Sequence, residues 1–284
     1  QEIAQDLLSR EKVSCVIGYE NGTHGHVRPA FIYTPEDVSR LIWNEGCTHN
    51  LVRYLMDKKD EYLAIVVKPC DARAINVMLA EHRLSRPHLF IIGIKCKGIQ
   101  VNGSPQARCQ TCTERTPVIF DKLVGDEPAT VSHDTAPAEI AYREIENRSP
   151  QEKMAYWLSQ FDQCIRCYAC RQACPICSCP TCMYERDDSQ WIGPGIGITE
   201  KRSFHLGRAF HLAGRCVGCN ECERVCPVEL PISMLNQKIH QEIEDRFNFT
   251  AGLSDSLSPL TTAIRPGEVP VSYTHLTLPT NREV

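Results

Sequence analysis

Two cysteine runs of identical spacing limit what this chain can fold into more than any other feature of its sequence. Each has the form Cys-x2-Cys-x2-Cys-x3-Cys-Pro, and the eight cysteines are Cys164, Cys167, Cys170, Cys174, Cys216, Cys219, Cys222 and Cys226. This spacing is typical of proteins with two [4Fe–4S] clusters, in which the fourth cysteine of each run binds the cluster of the other run. Three cysteines on a tight loop reach three irons of one cube, whereas the fourth, expected at a helix start, lies too far round.

The crossed arrangement predicts two ligand sets. We expect one cluster on Cys164, Cys167, Cys170 and Cys226, and the other on Cys216, Cys219, Cys222 and Cys174. A pair of zinc sites is the alternative, since four thiolates also satisfy Zn²⁺. Zinc motifs normally pair two Cys-x-x-Cys knuckles over a longer gap and lack the Cys-Pro ending, so the spacing favours iron. The charge of nearby basic residues would either raise the cluster potentials or be solvated; these residues are Arg166, Arg171, Arg215 and Arg224.

Cysteine is unusually frequent in this chain, with 17 cysteines among 284 residues. Disulfide scaffolds usually occur in short secreted chains, whereas these cysteines cluster at fixed short spacings, so we expect reduced thiols in the cytoplasm. Three more cysteines follow the first run directly, namely Cys177, Cys179 and Cys182. We interpret them as free thiols packed beside a cluster; an alternative ligand or an extra site is the other interpretation.

Residues 1–125 have the pattern of an α/β domain. Short apolar or β-branched runs predict strands, and helices are expected to begin near Thr34 and to cover Asn50–Lys58 and Asp71–Glu81. The predicted strands are Val13–Gly18, Phe31–Tyr33, Tyr62–Val67 and Leu89–Ile94. The last two strands and the helix between them form one βαβ unit, and their continuous apolar character predicts a sheet covered on both faces.

This domain has its own set of thiols. Cys70 and Cys96 each follow a predicted strand, and Cys109-x2-Cys112 comes thirteen residues after Cys96. Because the carboxyl ends of neighbouring parallel strands meet at one sheet edge, these thiols predict a third [4Fe–4S] cluster. Cys96, Cys109 and Cys112 would be three of its ligands, with either Cys70 or Cys47 as the fourth. The alternative is that they are buried packing residues, which is the role we expect for Cys15.

The rest of the chain divides by composition. Residues 126–148 lack periodicity and predict a linker, and Ser149-Pro150-Gln151-Glu152 is a capping box that starts a helix ending near Phe161. We place a dicluster ferredoxin-like domain, rich in helices and of the α+β class, at 149–250, with a glycine-rich loop at 193–197 and a helix from Thr199 to about Ala213. A partial C-terminal extension would follow at 251–270. Residues 271–284 are interpreted as translated sequencing adapter, and a chain starting at Gln1 as a fragment.

The net charge and the hydropathy pattern limit the kinds of partner that this chain is expected to bind. The 31 basic and 35 acidic residues give a net charge of -4, which argues against nucleic acid or an anionic membrane as a partner held by charge. The longest apolar stretches, such as Leu63–Val67 and Leu89–Ile94, are strand-sized, so no membrane span is expected.

Both halves resemble known families. Residues 1–125 resemble the beta-subunit family of deazaflavin-reducing hydrogenases and formate dehydrogenases, through VIGYE, the Lys-Pro-Cys-Asp loop at 68–71, the ARAI helix that follows it, and IIGIKCKGI around Cys96. Residues 158–235 are similar to the two-cluster ferredoxin domain of sulfhydrogenase and anaerobic sulfite reductase subunits. The resemblance implies a cytoplasmic electron-transfer subunit, often with FAD that exchanges electrons with a deazaflavin or a partner. Gly18, Gly22 and Gly25 are interpreted as turn glycines, since no G-x-G-x-x-G follows a strand.

Three hypotheses about function follow. The first is an iron–sulfur electron-transfer subunit of a formate dehydrogenase, hydrogenase or heterodisulfide-reductase-linked complex, with catalytic and electron-accepting protein subunits as partners. The sequence has no ligand pattern for molybdenum, nickel or haem, so substrate chemistry would occur on another chain. The second is a flavoprotein that itself oxidises or reduces a deazaflavin, and the third is a zinc-stabilised scaffold.

Overall fold

A five-stranded sheet organises the N-terminal half of the chain. The computed structural model describes residues 1–58, 60–101, 103–127, 136–186, 188 and 192–261. The sheet has the order β2-β1-β3-β4-β7, in which β1 pairs antiparallel with β2 and every other pair is parallel. Its strands are β1 (Cys15–Asn21), β2 (Val27–Ile32), β3 (Leu63–Val67), β4 (Leu89–Ile94) and β7 (Lys122–Val124), while β5 (Gln100–Val101) and β6 (Ser104–Pro105) form a separate hairpin.

The sheet is covered on both faces, as the apolar strands predict. Ile17, Ile65 and Ile91 lie side by side on adjacent strands and pack into the largest buried cluster. Residues of the opposite pleat, such as Val16 and Ala64, pack against the N-terminal helix instead. Because successive side chains of a strand point to opposite faces, nearly every position of the central strands is buried.

Helices make up the rest of the described secondary structure. The α-helices are α1 (Glu2–Ser9), α2 (Pro69–Ala80), α3 (Ala107–Gln110), α4 (Pro137–Glu146), α5 (Pro150–Asp162), α6 (Ala169–Gln172), α7 (Ile198–His211), α8 (Glu221–Arg224) and α9 (Ile232–Phe247). The capping box predicted at the start of α5 is confirmed, since Ser149 accepts a hydrogen bond from the Glu152 amide and Glu152 accepts one from the Ser149 amide.

Several predicted elements differ in the structure. The segments after Thr34 and Asn50 form 3₁₀ helices, Pro35–Arg40 and Leu51–Asp57, where we expected α-helices. The linker predicted at 126–148 contains α4, which buries Tyr142 and Ile145 one turn apart. The described residues of 149–250 form helices and loops without a strand, so the expected α+β character is not found there. The predicted adapter, 271–284, lies outside the described residues.

The two halves share one hydrophobic core. The cluster on the α2 side of the sheet includes Cys174, Ile176, Leu212, Val217 and Cys219 from the C-terminal half. A bidentate ion pair joins Arg215 to Glu81 at the end of α2. The Asn76 amide donates to the Gly252 carbonyl at 3.1 Å. Gly252 has φ +77 and lies so close to the Arg73 backbone that a Cβ atom would be 2.2 Å from the Arg73 oxygen, so only glycine fits. The C-terminal half is therefore built against the sheet domain.

Within the described part of the chain, no helix is both long and apolar enough to cross a membrane.

Candidate metal centres

The two cysteine runs have the same backbone conformation. Between the first and third cysteine of each run, the second and fourth positions lie in the left-handed region. These are Arg166 (φ 50) and Tyr168 (φ 59) in the first loop, and Gly218 (φ 66) and Asn220 (φ 51) in the second. A short helix follows each left-handed turn, α6 in the first loop and α8 in the second. Two non-glycine residues in this conformation in one loop indicate a backbone held by its surroundings.

The first thiol group contains the three loop cysteines of the first run and the last cysteine of the second. Negative charge on Cys226 and Cys167 contributes to raising the pKa of both Cys164 and Cys170, after burial as the main cause. The structure therefore brings Cys226 to Cys164 and Cys170, as the crossed arrangement requires. The Arg166 amide donates to the Cys164 sulfur at 3.3 Å, and the Leu230 amide to the Cys226 sulfur at 3.4 Å.

The second thiol group has the complementary composition. Burial is the main cause of the raised pKa of Cys216, Cys219 and Cys222, and charge on Cys174 raises all three further. Cys174 thus lies with the second run and not with its own. The Asn236 side-chain amide donates to the Cys222 sulfur at 3.7 Å.

The position of the fourth cysteines differs from the expectation. Cys174 and Cys226 follow the ends of α6 and α8, whereas we expected a helix start. The one-turn helix after each tight loop carries the chain away from its own thiol group before the fourth cysteine is reached. This helix explains why the fourth thiol meets the other group.

The third group of thiols meets at the carboxyl edge of the sheet. Cys70, Cys96, Cys109 and Cys112 line one cavity of about 520 Å³, which Cys216 of the second group also lines. Negative charge on Cys109 and Cys112 contributes to raising the pKa of Cys96, and negative charge on Cys96 contributes to raising the pKa of Cys70; burial is the main cause for both. Backbone amides donate to two of these sulfurs, from Gly98 to Cys96 at 3.4 Å and from Ile99 to Cys109 at 3.3 Å.

Cys47 and Cys15 lie away from this cavity. Both are fully buried in the hydrophobic core, and neither is among the described residues that line the thiol cavity. The Asn44 amide donates to the Cys47 sulfur at 3.4 Å. Of the two candidates for a fourth ligand, the geometry therefore favours Cys70, and Cys15 packs in the core as expected.

Cys177, Cys179 and Cys182 line a different cavity, of about 620 Å³, which Arg208 also lines. Cys177 is hydrogen bonded to Cys174, and this bond is the main cause that lowers the pKa of Cys174. Cys179 is exposed. Their position agrees with thiols packed beside a cluster.

The donor set fits clusters of several irons. Buried N–H groups without a protein partner occur on three arginines beside the thiol groups, at the Nε atoms of Arg108, Arg166 and Arg208. Such donors are suited to the sulfur atoms and negative charge of a thiolate-ligated cluster. In the described ranges, no three cysteine, histidine or acidic side chains are placed so that they would hold a single metal ion.

Two of these arginines were missed by sequence reasoning. Arg166 and Arg171 were identified as flanking residues and are buried, while Arg215 pairs with Glu81 and Arg224 with Glu221. Arg108 and Arg208 were not identified, and both are buried among the thiols. The position of Arg108 next to Cys109 is a signal that could have found it; Arg208 has no cysteine beside it in sequence, the nearest being Cys216.

Comparison with known protein families identifies one domain in the C-terminal half of the chain. Residues 160–230 match the family described as "4Fe-4S dicluster domain", a range that includes all eight cysteines of the two runs. The chain therefore contains a dicluster domain in its C-terminal half, which supports two [4Fe–4S] clusters.

The chain is similar over most of its length to two methanogen proteins. The F420-dependent formate dehydrogenase subunit beta of Methanocaldococcus jannaschii is 22% identical over 353 residues, covering 89% of this chain and 91% of the relative. The F420-dependent formate dehydrogenase 1 subunit beta of Methanococcus maripaludis is also 22% identical, over 89% of this chain and 90% of the relative. The aligned stretch is longer than this chain, so the relatives contain segments that it lacks.

A third relative is similar over a shorter region. The acetyl-CoA decarbonylase/synthase complex subunit alpha 1 of Methanosarcina mazei is 33% identical over 92 residues, which is 32% of this chain and 9% of the relative.

Proposed function

We propose that this chain is an iron–sulfur electron-transfer subunit of an oxidoreductase complex. The observation that carries the proposal is the exchange of fourth cysteines between the two runs, which gives two complete sets of four thiols within the dicluster domain. When bound, two [4Fe–4S] clusters supply one-electron redox chemistry. Four thiolates per cluster leave no coordination position for a substrate, so substrate chemistry belongs to another subunit.

The ligands follow from the two thiol groups. Cys164, Cys167, Cys170 and Cys226 hold one cluster, and Cys216, Cys219, Cys222 and Cys174 hold the other. Backbone amides such as those of Arg166 and Leu230 stabilise the thiolates by donating hydrogen bonds. Cys167 is exposed, so the first thiol group is the one nearest to the surface at which a partner could exchange electrons.

A third [4Fe–4S] cluster is proposed on Cys70, Cys96, Cys109 and Cys112. These thiols line a common cavity with Cys216, so the third group adjoins the second. The three groups then form one series from the sheet edge to the exposed Cys167. This series supports a relay between two partners, one at each end.

The partners are proposed from the relatives. Both longer relatives are named as beta subunits of F420-dependent formate dehydrogenases, so we propose a catalytic subunit of a formate dehydrogenase complex as one partner. A cytoplasmic location is proposed from the same resemblance and from the free thiols.

The iron content of the protein tests whether the proposed clusters are present. Anaerobically reconstituted protein is expected to hold about eight irons, or about twelve with the third cluster, at four irons per cube. Cys96→Ala should remove about four irons and leave the paramagnetic resonance signals of the dicluster domain intact. Zinc in place of iron would overturn the proposal, and unchanged iron content in Cys96→Ala would make the third thiol group a packing feature.

Activity of the isolated chain is the complementary test. Reduced by dithionite, the chain should pass single electrons to an acceptor, but it should not turn over formate, hydrogen or sulfite by itself. Turnover of any of these by the single chain would contradict the relay.

A flavoprotein is the second candidate, because a large cavity opens at the strand edge. It has a volume of about 840 Å³, within the range of cofactor sites, and its lining includes Tyr19, Trp43 and Ile94. Tyr19 and Trp43 meet edge to face with ring centroids 5.8 Å apart. Flavin absorption bands in the purified protein, with steady oxidation of a reduced deazaflavin that is lost in Trp43→Ala, would favour this function.

A further inference from the structure

Two buried arginines lie between neighbouring thiol groups. The positive charge of Arg208, in α7, lowers the pKa of Cys170 in the first group and of Cys174 and Cys222 in the second. Its Nη2 atom donates to the Cys170 carbonyl at 3.1 Å. This guanidinium therefore lies close to both ligand sets of the dicluster domain.

Arg108 of α3 has the same relation to the second and third groups. Its charge interacts with Cys70 and Cys109 on one side and with Cys219 on the other. Its Nη1 atom donates to the Cys219 carbonyl, and Nη2 donates to Thr48 O at 2.7 Å. Thiol groups and arginines thus alternate along the molecule.

The two arginines differ in their counter-charge. Arg108 has the buried Glu221 carboxylate at 3.5 Å. Arg208 is buried, and among the described residues no carboxylate lies within 4.0 Å of its guanidinium. Since an unpaired buried charge is strongly unfavourable, the counter-charge of Arg208 must come from the thiolates around it. The side chain is placed to compensate negative charge on two sites at once.

We propose that Arg208, and more weakly Arg108, allow neighbouring iron–sulfur sites of this chain to be reduced at the same time. The inference rests on the proposed function and adds to it a capacity to hold two electrons. An electron added to one site opposes a second electron nearby through Coulomb repulsion, which is strong in the low-dielectric interior. A positive charge between the sites attracts both electrons. Each reduction takes one electron from an external reductant, and no bond forms or breaks.

This capacity suits a partner that delivers electrons in pairs. Hydride donors and flavins release two electrons, whereas a thiolate-ligated cluster accepts one. A chain that is reduced at two adjacent sites can accept both electrons before the first has left. Arg208 would set how readily this happens.

A redox titration of the full chain with dithionite, followed by paramagnetic resonance, tests the proposal. The quantity measured is the ratio of molecules with both dicluster sites reduced to molecules with one reduced, at a fixed potential. In Arg208→Gln this ratio should fall at least about tenfold, because a compensating charge is lost. Arg208→Lys keeps the charge and should stay near the wild type. Arg202→Gln, an exposed residue on the same helix, is the matched control and should change nothing.

Arg108→Gln provides an independent variant. It should lower the potential of the second cluster relative to the first, and by less than Arg208→Gln does, because Glu221 already compensates Arg108. Wild-type iron content with an unchanged ratio in Arg208→Gln would overturn the proposal. If Arg208→Gln loses its iron, Arg108→Gln decides: a lowered relative potential supports the proposal and an unchanged one overturns it. Absence of iron from the wild type would instead overturn the proposed function.

Discussion

At the scale of single residues, Cys174 and Cys177 separate a ligand from a neighbouring thiol. Cys174 is buried and Cys177 is half-buried; both pack in the cluster that contains Cys219, and they are hydrogen bonded to each other. Only Cys174 occupies the fourth position of a Cys-x2-Cys-x2-Cys-x3-Cys run. The pair therefore offers a matched test of crossed ligation.

We predict that Cys174→Ser damages the second cluster and leaves the first intact. The hydroxyl of serine is a poor replacement for a thiolate, and the other ligands of the affected cluster are Cys216, Cys219 and Cys222. Cys177→Ser, the control, should retain both paramagnetic signals of the dicluster domain and the iron content of the wild type. Loss of the Cys164–Cys170 cluster in Cys174→Ser would mean that each run binds its own cluster.

The eight run cysteines were predictable because their spacing alone fixes which thiols can share a cube. Arg108 and Arg208 could not be predicted in the same way. Their burial depends on how α3 and α7 pack against distant cysteine loops, and arginine in a helix is usually exposed. The choice of Cys70 over Cys47 likewise required the three-dimensional structure, because Cys47 lies in the long connection between β2 and β3, whose path the sequence does not give.

At the scale of elements, α5 and α7 are joined by a stacked aromatic pair. The His205 imidazole lies parallel to the Phe161 ring, with centroids 4.9 Å apart and an interplanar angle of 6°. Burial, followed by the charges of Arg208 and Arg166, lowers the pKa of His205 to about 4. The imidazole is therefore neutral in the folded protein at neutral pH.

We predict that His205→Phe makes stability less sensitive to acid. Unfolding raises the pKa of His205 towards about 6.5, so the unfolded state binds the proton more tightly. The contribution of neutral His205 to the free energy of unfolding is therefore fully present above about pH 6.5, and it is lost as the pH falls towards about 4. Protonation of His205 should cost about 1–2 kcal/mol between about pH 7.5 and about pH 5.

Anaerobic denaturant unfolding at both pH values measures this loss. His205→Phe should show a smaller loss than the wild type by that amount. An equal loss in both proteins would mean that His205 is not the group that titrates.

Element boundaries were predicted best where local signals were complete. Strand β4 matches its prediction residue for residue, and the start of α5 follows from its capping box. Helix α4, inside the predicted linker, was not predicted because it is amphipathic over only ten residues, with two buried positions, Tyr142 and Ile145. Its stability depends on packing, shown by the Tyr142 hydroxyl, which donates to Gln241 Oε1 at 2.5 Å. Such a long-range contact has no local sequence signal.

At the scale of the whole molecule, the ion pair between Arg215 and Glu81 joins the two halves. The side chains are 19% and 13% exposed, so each would be left poorly solvated without its partner. We predict that Arg215→Met lowers the free energy of unfolding by about 2 kcal/mol, less than a fully buried pair would, because some exposure remains.

The two halves should respond together to this change. The paramagnetic resonance signals of the dicluster domain report the C-terminal half, and far-ultraviolet circular dichroism reports the helices and the sheet. Both transitions should shift to lower denaturant by the same amount, because one core spans the halves. The double variant Arg215→Met/Glu81→Leu should recover part of the loss, since no lone charge remains. A shift confined to the paramagnetic signals of the dicluster domain would show that the halves unfold separately.

The shared core also has a consequence for how the protein is made. Cys174 and Cys219 are packed in the same cluster as the sheet residues Ile17 and Ile65, and both are proposed as iron ligands. During synthesis the sheet leaves the ribosome first, with the face that these cysteines will cover still open to water. If the proposed clusters set the final shape of the cysteine loops, that face closes only once iron and sulfide are bound. Delivery of iron and sulfide by the cell is then a step in maturation of the entire polypeptide, and a cell starved of iron should degrade the sheet domain along with the rest.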